Sequence, residues 1–149
     1  MICTASPVGP LGAHAVNGAV TELVWGQGGN LTEGPLHRQL SDEIAAYFAG
    51  ELQQFQTPLA PRGSGFQQRF YAALCAIPYG ETRTYGDLAR DLGVSAQAIG
   101  QACGANPIAI LIPCHRVLAS DGLGGYSGVG GIEAKVALLR LEGAAGLLI

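Results

Sequence analysis

The sequence predicts a small α/β unit followed by a mainly helical one. Three observations carry this: an Asn-Gly pair at 17–18 between two β-patterned runs, helical texture from residue 66 onward, and a proline- and glycine-rich stretch, "QTPLAPRGSG" (56–65), between the two. With 149 residues, 48% apolar and 13% charged, the chain has the composition of a globular protein, enough for one ordinary domain or two small ones. The units are expected at 1–57 and 62–149.

Taken in order, "LGAHAV" (11–16) and "AVTELVW" (19–25) read as two strands, and Asn17-Gly18 between them is the strongest short hairpin signal. "GQGGNLTEGP" (26–35) reads as a loop. Leu36, Leu40, Ile44, Tyr47 and Phe48 fall on one helical stripe, which Gly50 closes. Phe66, Phe70, Leu74 and Ile77 form the face of a second helix that stops at Pro78. In "TYGDLARDLG" Thr84 and Asp87 have capping-box spacing, Leu88 and Leu92 face inward, and Gly93 suits the stop. Ser95 can cap a further helix, "AQAIGQAC" (96–103), which makes a helix-turn-helix candidate with the one before it. Its Ala96, Ala98, Gly100 and Ala102 fit either close packing against another layer or a shallow minor groove; only Gln97 and Gln101 are long and polar. Ile108–Ile112 is expected as a short buried strand ending at Cys114. A glycine-dense loop, "SDGLGGYSGVGG" (120–131), follows, without the Lys-Ser/Thr of a phosphate-binding loop. The last helix, "IEAKVALLRLEG", is expected to bury Ile132, Val136 and Leu139.

"MICTASPVGP" lacks the basic and apolar regions of a secretory signal, and no apolar run approaches the roughly 18 residues of a membrane span. A soluble, cytoplasmic chain with reduced thiols is therefore expected. Cys3, Cys75, Cys103 and Cys114 form no C-x-x-C pair and no zinc spacing, so neither disulfide nor metal is expected. Net charge is −3, which argues weakly against nucleic acid, but the distribution is uneven. Residues 1–59 set Arg38 against Glu22, Glu33, Asp42, Glu43 and Glu51, whereas residues 60–118 set arginines 62, 69, 83, 90 and 116 against Glu81, Asp87 and Asp91. A DNA partner would meet the middle segment.

In "AILIPCHRVLA" (109–119) a cysteine stands between a proline and a histidine. A nucleophilic thiol needs a base to take its proton, and an imidazole backed by a carboxylate is such a base. Neighbouring side chains of an extended segment point to opposite sides. His115 therefore meets Cys114 only if the backbone turns or a water bridges them. On the residues alone, a small buried thiol ending a strand fits equally well.

"IPYGETRTYGDLA", "NPIAILIPCHRVL" and "GLGGYSGVGGIEAKVALLRLEG", in that order, resemble the O6-alkylguanine-DNA alkyltransferases over about Phe66 to Gly143. "SPVGPLGAHAV" and "LSDEIAAYFAGE" resemble the family's N-terminal domain less specifically. The resemblance implies an RNase H-like α/β N-terminal domain, with a small antiparallel sheet plus helix, and a winged-helix-like C-terminal domain. It implies DNA repair by irreversible, stoichiometric transfer of an alkyl group from O6 of guanine to Cys114, a suicide reaction that needs no cofactor. The partner it implies is double-stranded DNA carrying O6-alkylguanine, met through the minor groove by a monomer, with the base flipped out of the stack.

The implied roles follow residue by residue. Cys114 is the acceptor, His115 deprotonates it through a water, and Glu142 orients the histidine. Asn106 holds the turn around the site, and Tyr85 helps rotate the nucleotide and protonates the base. Val117 reads the guanine amino group through its carbonyl, while Tyr126 and Ser127 line the alkylguanine pocket. Ser95, Ala96, Gln97 and Ser120 contact DNA. Gln97 departs from the family pattern, since it occupies the position of an arginine finger and lacks that group's charge and planar stacking. Two other readings stand beside it: an alkyltransferase-like damage-binding protein, whose relatives replace the cysteine that this chain keeps, and an unrelated cysteine hydrolase.

Overall fold

A computed structural model describes residues 10–26, 29–120, 122–124 and 131–144. The chain divides into two compact units, residues 1–62 and 63–149.

The first unit is built on an antiparallel hairpin of β1 (Leu11–Val16) and β2 (Ala19–Trp25). Asn17 and Gly18 both have positive φ, 52° and 77°, the two left-handed residues that a tight hairpin turn requires. A bulge between His14 and Ala15 breaks the register. Helix α1 (Pro35–Phe48) starts with proline in its first turn and buries Leu40, Ile44 and Tyr47. Each such side chain contributes about 1.5–3 kcal/mol on burial. Part of the stretch expected as a linker is tied down instead. Val20 pairs with Leu59, and the Glu43 carboxylate takes the amides of Gln56 and Thr57 at 3.0 and 2.9 Å.

In the second unit α2 (Gly65–Cys75) begins with a reciprocal capping box between Ser64 and Gln67 and buries Phe70, Tyr71 and Leu74. The two-residue strand β3 (Arg83–Thr84) leads into α3 (Tyr85–Leu92), whose capping box joins Thr84 and Asp87 and whose stop is the left-handed Gly93. Such caps are worth about 1 kcal/mol each. Helix α4 (Ala96–Gly104) is capped by the Ser95 side chain and buries only Ile99 and Ala102. The chain then returns to strand β4 (Val117–Leu118), parallel to β3, and closes with α5 (Ile132–Leu141). The described residues thus combine small sheets with mainly helical content.

Two expectations fail. The strand expected at Ile108–Ile112 is a succession of buried turns, with Ile112 donating to the Ile108 carbonyl at 2.9 Å and Ile110 held at a φ of 75°. The apolar run is buried as foreseen, but the Asn106 side chain curls it, donating to the Ile112 carbonyl (2.8 Å) and accepting from the Ile108 amide (3.1 Å). An amide side chain that satisfies two backbone groups offers the chain an alternative to a ladder. The second failure is the face of α5. It buries Ala134, Lys135, Leu138 and Leu139, while Ile132 is 42% exposed.

Candidate active site

Cys114 opens a 3-10 turn, Cys114–Arg116, rather than ending a strand. Arg116 donates its amide to the Pro113 carbonyl at 3.0 Å, and the Val117 amide donates to the Cys114 carbonyl. The turn is the backbone bend that the Cys-His pair required. Cys114 is 4% exposed and His115 is fully buried.

Behind the turn lies a buried cluster centred on Glu142, just past the end of α5. His115 Nε2 stands 2.8 Å from its Oε2. Arg116 holds the same carboxylate with two nitrogens, Nε on Oε1 at 2.8 Å and Nη2 on Oε2 at 3.0 Å, and donates from Nη1 to the Ile77 carbonyl at 2.7 Å. The guanidinium also lies 5.8 Å from the centroid of Tyr79. A doubly held carboxylate stays ionised, and it takes the proton of His115 Nε2 as a hydrogen bond. That fixes the tautomer and leaves Nδ1 with its lone pair. Nδ1 is buried without a protein partner among the described residues. Burial holds the His115 pKa below its usual value, Glu142 opposes that shift, and the charges of Arg116 and Lys135 add to it. The imidazole is therefore a neutral base at pH 7.

Burial pushes the Cys114 thiol up, while a hydrogen bond from Asn106 and the charge of Lys135 pull it down. Lys135 is completely buried in α5. Its Nζ donates to the Val117 carbonyl at 2.7 Å and lies 5.9 Å from the centroid of Tyr85. Tyr85, the first residue of α3, meets the glycine loop as well. A Cβ on Gly124, whose φ is 70°, would stand 2.9 Å from the tyrosine hydroxyl. Only a glycine permits that approach.

Residues 65–144 match the family described as 6-O-methylguanine DNA methyltransferase, DNA binding domain. The chain belongs to this family. A methylated-DNA–protein-cysteine methyltransferase of Mycobacterium tuberculosis is 55% identical over 104 residues, 68% of this chain and 62% of that relative's length. The protein of the same name from Mycobacterium leprae is 42% identical over 147 residues, covering 92% of this chain and 88% of the relative. The solved structure of M. tuberculosis OGT in complex with DNA superposes with a TM-score of 0.82 at 42% identity, covering 95% of this chain and 91% of that one.

Of the residues that the methyltransferase resemblance singled out, the structure gathers Cys114, His115, Glu142, Asn106, Tyr85 and Val117 around the turn. Ser95, Ala96 and Gln97 are exposed at the start of α4, and Ser120 is exposed after β4. Tyr126 and Ser127, with most of the loop expected to form the pocket with Tyr85, lie outside the described residues. A groove of about 500 Å³ between α2 and α4, lined by Gln67, Ala98 and Gln101 among others, contains none of the catalytic candidates. Sequence reasoning missed Arg116 as a member of the cluster and Lys135 altogether. Arg116 entered only as one of five arginines of the middle segment and Lys135 not at all, although an arginine straight after an apolar Ile-Pro-Cys-His run is a signal. Among the described residues no group of His, Cys, Asp and Glu could hold a metal ion, and no helix is long and apolar enough to cross a membrane.

Proposed function

We propose that this protein repairs DNA by moving an alkyl group from O6 of guanine onto Cys114, once per molecule. The observation that carries the reading is the buried His115–Glu142 pair beside Cys114. It leaves the imidazole Nδ1, the only basic atom of that ring, to accept the thiol proton through a water. The thiolate attacks the alkyl carbon, a C–S bond forms, the C–O bond breaks, and its electron pair stays on guanine. Tyr85 supplies a proton to the base, and the proton lost by the thiol balances it. Among the described residues no group beside Cys114 would break the thioether, and in this reading transfer is irreversible and stoichiometric.

The alkyl group is shielded within a duplex, so the base must leave the stack. Exposed Ser95, Ala96 and Gln97 at the start of α4, together with Ser120, make the DNA contacts, through the minor groove. Val117, Tyr126 and Ser127 line the base pocket. The OGT–DNA complex to which this chain is similar supports DNA as the partner. In the same reading the protein is a cytoplasmic monomer, the first unit is RNase H-like, and the second is winged-helix-like around α3 and α4.

The test is intact mass after incubation with O6-benzylguanine. One benzyl group is expected, located on Cys114 and lost in Cys114→Ala. An unmodified mass after long exposure overturns the reading. Stable binding of alkylated DNA with Cys114 left free would favour a damage-binding protein instead.

A further inference from the structure

His115 and Arg116 are neighbours in the chain, and in an extended segment their side chains would point apart. The 3-10 turn brings both onto one buried carboxylate. Glu142 Oε2 serves the two at once, with His115 Nε2 at 2.8 Å and Arg116 Nη2 at 3.0 Å. Its Oε1 takes Arg116 Nε at 2.8 Å. The guanidinium is anchored from a second direction as well. Its Nη1 donates to the Ile77 carbonyl just past α2 at 2.7 Å, and the centroid of the Tyr79 ring lies 5.8 Å away. A buried positive charge that cannot be titrated thus stands at a fixed place, on the same oxygen as the imidazole.

Charge counting decides where a proton can go in such a site. Glu142 and Arg116 cancel, so a proton added to the neutral imidazole would leave an extra positive charge in a place water does not reach. Removing the guanidinium makes the site more negative by one unit. His115 Nδ1, buried without a protein partner among the described residues, is the basic atom of the cluster that a proton would then take.

We propose that Arg116 is a positioning residue of the transfer reaction: by cancelling the charge of Glu142 from a fixed place, it keeps the His115–Glu142 pair from binding a second proton, so that Nδ1 retains the lone pair that accepts the proton of Cys114. This rests on the reading of His115 as the base of alkyl transfer. Burial lowers the His115 pKa first, Glu142 opposes it, and the charges of Arg116 and Lys135 add to the lowering. Those three charged groups face the imidazole, with the Cys114 thiol beside it in the turn. Tyr79 and Cys75 face the guanidinium. Burial pushes both of them up, so they stay protonated between about pH 5 and 8.

The test is the His115 titration, read by NMR with ¹³C-labelled histidine and resolved from those of His14 and His37. Arg116→Met should raise its midpoint by about one unit or more, a roughly tenfold tighter hold on the second proton. Benzyl transfer by that variant should fall at neutral pH and recover as the pH is raised, whereas a merely structural loss lowers it at every pH. Should Arg116→Met not fold, Arg116→Gln, whose amide still donates to a Glu142 oxygen, carries the same expected rise. Arg116→Lys, which keeps the charge, should stay close to the parent. A folded neutral variant with an unraised midpoint overturns the proposal, and so does an equal rise in Arg116→Lys. O6-benzylguanine transfer by the parent protein separates the two readings. No benzyl transfer alongside a raised midpoint sinks only the repair function, and benzyl transfer alongside an unraised midpoint sinks only the role of Arg116.

Discussion

Two carboxylates, one in each unit, fasten distant stretches of chain, and they do it with different partners. Glu43 of α1 uses a single oxygen to take the Gln56 amide, the Thr57 amide and the Thr57 hydroxyl at 3.0, 2.9 and 2.7 Å. Its other oxygen takes the Gln39 amide at 3.3 Å. All of these donors are neutral, and the side chain is half-buried. Glu142 is 5% exposed and meets a guanidinium and an imidazole. The first arrangement holds a loop end in place and asks little of the charge. The second needs the charge, because an uncompensated buried guanidinium is costly, and it uses that charge to decide which imidazole nitrogen is basic. A carboxylate is marked as chemical rather than structural by titratable donors at low exposure.

The contrast can be broken by substitution. Glu142→Gln should be the most damaging change. It leaves Arg116 buried without a counter-charge, at a cost of about 3–5 kcal/mol in denaturant unfolding. It also frees the His115 tautomer, so benzyl transfer should fall by at least about 10²-fold in whatever fraction folds. Unfolding within 1 kcal/mol of the parent, with transfer intact, would place Glu142 in the same class as Glu43.

The next effect is a pH dependence. The folded-state pKa of His115 lies below its unfolded value near 6.5. As pH falls below that value the unfolded chain binds a proton that the folded one refuses, so stability is present above about 6.5 and is lost on acidification toward the folded pKa. The melting temperature should drop between pH 7.5 and 5, and His115→Gln should flatten that part of the curve. A slope that persists unchanged in the variant would assign it to other groups.

Glu43→Gln should have the smallest effect. The amide oxygen can still accept from Gln56 and Thr57, so the cost should be about 1 kcal/mol or less, with benzyl transfer unchanged. A larger loss of stability would mean that the charge of Glu43 matters in a way its neutral partners do not indicate.

Local chemistry was legible where it was self-contained. The Asn17-Gly18 hairpin needs only two residues that tolerate positive φ. The Thr84–Asp87 capping box and the Ser95 cap close within three residues. The Gly93 stop is likewise local. The run Ile108–Ile112 was misread because burial and strand are the same signal in five apolar residues, and a side chain outside the run, Asn106, chose turns. The site was legible only through the family resemblance of three ordered motifs, and its electrostatics were not. Arg116 and Lys135 look like solvent-facing cations in sequence, and nothing local reveals that each finds a buried oxygen, on Glu142 and on Val117.

By itself the sequence determined the hairpin, the capped helices, their order, and a cysteine followed by a histidine at the end of an apolar run. Those features depend on interactions within a few residues. Only the tertiary structure decided that the chain bends at Cys114, that Glu142 reaches across from the end of α5 to hold His115 and Arg116, and that α5 turns its one lysine inward. The last two pair groups 18 to 27 residues apart in sequence, and the low-dielectric surroundings that make such pairs matter exist only once the chain has packed.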